Sequence, residues 1–220
     1  MTLAALLFDM DGTLIDSMPL HERSWALWHA EMGLPYDETG FFAATAGRTN
    51  LEILLDLFPE RAESERLAMA ARKEALYRAI AERELTLIAG AHEVIAQGRA
   101  RGLKIAICTA APPENIAIAF TRFGLGALVD TVTSPADGLR GKPHPDIFLE
   151  AARRMGVEPA QCLVFEDAPL GIEAARNGGM AAVVLTTTLP AEAFAGYDNV
   201  LQSIADFTDY TLPPSLGHRL

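Results

Sequence analysis

The run Ala4–Phe8 is apolar at every position and stops abruptly at Asp9-Met10-Asp11-Gly12. An unbroken apolar run of this length suits a strand buried on both faces, the condition of a parallel sheet, and the polar break puts acids at its C-terminal end. Similar runs recur at Ile105–Cys108, Leu163–Phe165 and Ala181–Leu185, with a weaker one at Leu128–Thr133. Helical patterns alternate with them over about 91–101, 114–123, 145–155 and 169–177, bounded by Gly or Pro. The alternation predicts an α/β chain with a Rossmann-like parallel sheet and helices on both faces. Ligands of such sheets lie beyond the C-terminal strand ends.

One stretch breaks the pattern. Residues 17–86 carry only helical periodicity, in His21–Met32, Leu51–Leu57 and a charged segment over about 64–84. They read as an inserted α-helical cap domain between the first two strands of a core formed by residues 1–16 and 87–220. A two-stranded hinge is expected near Ile15–Ser17 and Leu85–Gly90. The tail from Asp209, with Pro213-Pro214, reads as irregular and loosely held.

Half the residues are hydrophobic and 21% are charged, enough to bury a sizeable core. The formal net charge of -11 argues against nucleic acid, whose phosphates need clustered Lys and Arg. It leaves room for a small anionic substrate, because a metal and a few cations reverse the field within one cleft. Cys108 and Cys162 both fall in apolar runs, which points to buried thiols in a reducing, cytoplasmic setting. No apolar run reaches the roughly 18 residues of a membrane span, and the N-terminus does not read as a signal peptide. A monomer or weak dimer is expected.

Asp9 and Asp11 follow a buried strand directly, and Gly12 permits the tight turn that aims both carboxylates into the cleft above the sheet. Glu166-Asp167 end a second apolar run in the same way. Acids that converge so closely repel unless a cation or proton is shared, so the set suits a hard divalent ion such as Mg2+. Set against this, a polar strand cap would explain one pair and an acidic helix start one residue of the other, but not both pairs together. Thr109 ends the strand Ile105–Cys108, and the backbone at Ala110, where a helix is about to start, adds N–H donors for a phosphate. Lys142 sits in Gly141-Lys142-Pro143-His144-Pro145, a stiff loop that suits a fixed ammonium.

Taken in order, DMDGT, Thr109 after the second strand, GKPHPD and FEDAPLGIEAA make the sequence resemble the haloacid dehalogenase superfamily, in its phosphatase and β-phosphoglucomutase branch. The resemblance covers essentially the whole chain. It implies a phosphoric monoester hydrolase acting on small phosphorylated metabolites, sugar or polyol phosphates. By the same resemblance, Asp9 is the nucleophile and Asp11 the general acid/base, while Thr109, Ala110 and Lys142 hold the phosphoryl group. Mg2+ would be bound by Asp9, Asp167 and the Asp11 carbonyl, with Glu166 assisting directly or through water. The helical insert corresponds to a mobile cap, on which His21 and Arg48 are candidate substrate-side residues. Superfamily dehalogenases lack an acid at the Asp11 position, which argues against haloacid cleavage.

The sequence departs from the mutases where they hold a second phosphate. Ala46 and Asn50 flank Gly47 where mutases carry Lys and Arg, and Ala111-Pro112-Pro113 replaces a polar run after Thr109. A β-phosphoglucomutase or related sugar phosphomutase is the alternative. A phosphorylated receiver domain is shorter and has no helical insert, and the full acid set argues against a non-catalytic binding protein. His29, His92, His144 and His218 show no metal-ligand spacing, and Gly124-x-Gly126 is too short for a dinucleotide fingerprint.

Overall fold

The computed structural model describes residues 1–37, 40–45 and 48–216, with the side chains of residues 42 and 43 excepted. Ala46, Gly47 and His218 lie outside the described residues. The chain divides into two compact units, Met1–Asp16 with Thr86–Leu220, and Ser17–Leu85.

The first unit is built on six parallel strands: β1 Ala5–Phe8, β2 Lys104–Cys108, β3 Thr131–Thr133, β4 Cys162–Glu166, β5 Ala181–Leu185 and β6 Val200–Ile204. Their order is β3-β2-β1-β4-β5-β6. Connections run one way from β1 and the other way from β4, so the topological switch point lies between these two strands. Alternation along β1 shows how both faces are covered. Ala5 and Leu7 join a core with Ile147, Phe148 and Ala151 of α7 (Asp146–Met155) and Ile172 and Ala175 of α8 (Pro169–Asn177). Leu6 points the other way, toward Gly98 of α5 (Ala91–Ala100), and Phe8 stacks on Phe165 with centroids 4.7 Å apart. The remaining helix, α6 (Pro113–Phe123), follows β2.

Two parts of this unit differ from expectation. The edge strand β6 was not anticipated. The tail is not loose as far as Leu216: Tyr210, Leu212 and Leu216 are buried, Tyr210 packs edge-on against Phe165, and Leu216 N–H donates to Met1 O at 2.9 Å. Arg101 further fastens it by donating to the carbonyls of Leu212 and Pro213.

The second unit holds α1 Met18–Met32, α2 Gly40–Thr45, α3 Asn50–Leu57 and α4 Glu63–Glu84. Trp25, Trp28, Ile53 and Leu54 form its buried centre, with Phe41 and Phe58 against them. The N-terminus of α3 is a capping box, Thr49 and Glu52 each satisfying the other's backbone N–H. No helix among the described residues is long and apolar enough to cross a membrane.

Candidate active site

The site grows from the turn that ends β1. Asp9 N–H donates to Phe165 O at 3.0 Å, so Asp9 extends the pairing of β1 with β4 and lies beside Glu166. The N–H groups of Thr13, Leu14 and Ile15 then all turn back on Met10 O, at 3.3, 2.9 and 3.0 Å. Gly12 sits in this turn at φ 76°. A side chain there would be strained by the backbone and would overlap the Asp167 carboxylate. Only glycine lets the DMDGT turn close against Asp167, just past the end of β4.

Lys142 reaches the same point from its loop, and its Nζ meets both Asp9 Oδ1 and Glu166 Oε1. The loop is held by Arg140, whose guanidinium makes a two-pronged pair with Asp146 at 2.8 and 2.8 Å, and by Asn177, which donates to Pro143 O at 3.1 Å. The Lys142–Pro143 peptide is cis. Glu166 is held on one side: its Oε2 accepts the N–H groups of Asp167 and Ala168, each at 3.0 Å, while its Oε1 faces the Lys142 ammonium. Asp167 accepts from Thr13 Oγ1 at 3.3 Å and from Thr188 Oγ1. Thr109 is buried at the end of β2, beside β1, and its Oγ1 accepts the Ala111 N–H at 3.0 Å. Ala110 is exposed next to it.

One ammonium thus faces several buried acids, and the electrostatics follow from that imbalance. Burial pushes the Asp9 carboxyl well above the usual carboxylate range; Lys142 pulls it back, but Glu166, Asp167 and Asp11 all push it up. Burial and the neighbouring Glu166 raise Asp167 to about 7. Burial opposes the charge on Lys142, yet Asp9 and Glu166 together hold its ammonium above the ordinary lysine value.

Among the described residues, no three Asp, Glu, His or Cys side chains gather into a ready-made metal cage. The donor set nevertheless suits Mg2+. This ion takes one or two carboxylates and completes its shell with water and substrate phosphate, and among the described residues the acids here outnumber the Lys142 ammonium that meets them.

The structure therefore brings Asp9, Lys142, Glu166 and Asp167 into contact, with Asp11 on the adjoining turn and Thr109 at the neighbouring strand end. His21 and Arg48 belong to the helical unit. There His21 Nδ1 lies 2.7 Å from the buried Lys73 ammonium, and its ring stacks on Tyr77 at 3.9 Å. Arg48 pairs with Asp56 at 2.6 Å and donates to Glu52 O. Sequence reasoning passed over Thr187 and Thr188. The signal was available in principle, since Thr186-Thr187-Thr188 directly follows β5, as Asp9 and Glu166-Asp167 follow or end theirs.

A haloacid dehalogenase-like hydrolase family model matches residues 3–179. The chain is 34% identical over 201 residues to a validoxylamine A 7'-phosphate phosphatase of Streptomyces hygroscopicus subsp. limoneus, covering 91% of this chain and 93% of that one. It is 34% identical over 185 residues to a fructose-1-phosphate phosphatase of Escherichia coli, covering 82% and 95%. Its fold superposes on a family IA, variant 3 hydrolase of Entamoeba histolytica with a TM-score of 0.88 at 26% identity, over 96% of each chain. A β-phosphoglucomutase of Clostridium difficile shares the fold at a TM-score of 0.80 and 22% identity, over 96% and 94%. With the acids of its strand ends and the lysine of the loop before α7 placed as described and the family model spanning most of its length, this chain belongs to the haloacid dehalogenase-like hydrolases and is an enzyme of that family.

Proposed function

We propose that the protein is a Mg2+-dependent phosphatase that hydrolyses small phosphorylated metabolites, sugar or polyol phosphates, through an aspartyl phosphate on Asp9. The observation that carries this is the convergence of Asp9, Lys142 and Asp167 at the switch point of the sheet, with Asp11 one residue beyond Met10 on the turn. Relatives named as phosphatases of a sugar phosphate and of validoxylamine 7'-phosphate support the substrate class.

Asp9, Asp167 and the main chain at Asp11 would hold Mg2+, with Glu166 assisting through water while it anchors Lys142. When bound, the ion polarises the phosphoryl oxygens and offsets their charge. Phosphoryl transfer asks the protein mainly for position and charge. Thr109 and the backbone at Ala110 orient the phosphoryl oxygens, and Lys142 stabilises the charge on them. An Asp9 oxygen bonds to phosphorus as the bond to the substrate's alkoxide oxygen breaks, and Asp11 gives that oxygen its proton. Asp11 then takes a proton from water, which attacks the same phosphorus; inorganic phosphate leaves and the Asp9 carboxylate returns.

Two local features favour hydrolysis over mutase chemistry. After Thr109, Ala111, Pro112 and Pro113 lead straight into α6 and offer no cationic side chain. In the helical unit, proposed to select the substrate, Arg48 is already paired with Asp56, and Asn50 donates to Glu74 at 2.6 Å. Charge-assisted contacts to a second phosphate contribute about 1.5–3 kcal/mol each, so without them water reaches the phosphoenzyme before a reoriented bisphosphate does. The net charge of -11 supports a partner other than nucleic acid, and the two buried, free thiols support a cytoplasmic setting; a monomer or weak dimer without a membrane partner completes the proposal.

A panel of phosphorylated sugars and polyols assayed for released phosphate tests the function. In parallel, β-glucose 1-phosphate primed with its bisphosphate is followed through glucose 6-phosphate dehydrogenase. Phosphate release from several monophosphates with little isomerisation is expected. Isomerisation that outruns release would replace the phosphatase by the mutase.

A further inference from the structure

We propose that Thr188, in the loop after β5, is a positioning residue that orients Asp167 for the divalent cation. The inference rests on the metal reading above and adds a residue to it.

Asp167 follows β4 immediately, and its two oxygens are held from two sides. Thr13 Oγ1, from the DMDGT turn, donates to Oδ1 at 3.3 Å; Thr188 Oγ1, from a loop 21 residues further along the chain, donates to Oδ2. Two hydroxyl donors on opposite oxygens fix the rotation of the carboxylate. Each oxygen has two lone-pair directions, so a single hydroxyl donor does not use up its capacity to meet a cation. The loop that carries Thr188 is itself anchored: Thr187 Oγ1 donates to Gly12 O, across 175 residues of sequence, Thr186 N–H donates to Ile204 O at 2.9 Å, and Thr186 Oγ1 reaches the same carbonyl at 3.2 Å. A Cβ on Gly12 would lie 2.9 Å from Thr188 Oγ1. The turn, Asp167 and Thr188 are therefore packed against one another with no slack. In the absence of the Thr188 hydroxyl, Thr13 is the one side-chain donor left to hold the orientation of the carboxylate among the described residues.

A hydroxyl that orients a ligand typically affects metal affinity about 10–100-fold. Mg2+ binding to the purified protein, measured by calorimetric titration and by the Mg2+-dependent rise in melting temperature, is compared for wild type, Thr188→Val, Thr188→Ser and Thr188→Ala. Valine keeps the shape and removes the donor; serine keeps the donor and removes the methyl. The expected result is a dissociation constant raised about tenfold or more in Thr188→Val and Thr188→Ala, and restored to near wild type in Thr188→Ser. Wild-type affinity in the valine and alanine variants would overturn the proposal, as would a serine variant as weak as valine, which would assign the effect to packing. A wild-type protein that binds no Mg2+ would overturn the metal reading and this proposal with it. Should valine fail to fold, alanine and serine carry the comparison alone.

Discussion

Gly171 lies in the first turn of α8, and a methyl group there would overlap the Glu166 carboxyl group. Its backbone is not in the left-handed region, so Gly171→Ala is permitted by the main chain and gains about 1 kcal/mol of helix propensity. The opposing cost falls on Glu166, which is 1% exposed and has no solvent to retreat into. If displaced, it gives up the N–H groups of Asp167 and Ala168, both at 3.0 Å. Charge-assisted bonds are worth about 1.5–3 kcal/mol each, so the loss is roughly 3–6 and the net destabilisation roughly 2–5 kcal/mol. At roughly 2–4 °C per kcal/mol for a chain of this size, the melting temperature should drop by about 4–20 °C. Lys142 also loses one of its two acids, so phosphate release should fall by more than the stability change alone explains. Thermal melts and phosphate-release assays on the same preparations measure both effects. A double-mutant cycle isolates the cause: in a Glu166→Ala background, Gly171→Ala should instead stabilise by about 1 kcal/mol, because only propensity remains. A single variant that melts at or above wild type and turns over normally would refute the anchoring of Lys142 by a confined Glu166.

Lys142→Met should destabilise the fold by about 3–5 kcal/mol in urea melts, since it leaves Asp9 and Glu166 buried without their cation, and should abolish turnover; a stable, active variant would contradict the ion-pair account. Chelation should remove activity and Mg2+ restore it, while Ca2+ should inhibit because its larger, irregular shell misplaces Asp9; full activity in excess EDTA would count against the metal.

The fold was legible because parallel strands buried on both faces leave little room for another pattern. Ala4–Phe8 and Ala181–Leu185 are apolar throughout, and the acids after Phe8 and at Glu166-Asp167 mark the end of the sheet where ligands bind. The edge strand β6, Val200–Ile204, escaped because it is only half buried and carries Gln202 and Ser203, so neither a full apolar run nor a clean alternation marks it. Helix α2 is six residues long and begins with Gly40, too short to set a period. The tail was misread for a related reason: its Pro-rich composition signals a loop, while Tyr210, Leu212 and Leu216 bury themselves against distant residues. Thr187 and Thr188 show the limit within the site. A threonine run after a strand reads as an ordinary turn, and its partners, Gly12 and Asp167, are adjacent only in the folded sheet. The engagement of Glu166 was hidden similarly, because it depends on where the Lys142 loop arrives.

The central claim is that Asp9 carries the phosphoryl group, and it is tested most directly by trapping that bond. Enzyme mixed with a turned-over monophosphate, with the Asp11→Asn variant included to slow hydrolysis, is quenched and reduced with borohydride, which converts an aspartyl phosphate to homoserine. Peptide mass spectrometry should then find homoserine at position 9 and no reduced side chain at any other acidic position of the DMDGT and FED segments. Homoserine at another position, or none under conditions that release phosphate, would contradict the mechanism.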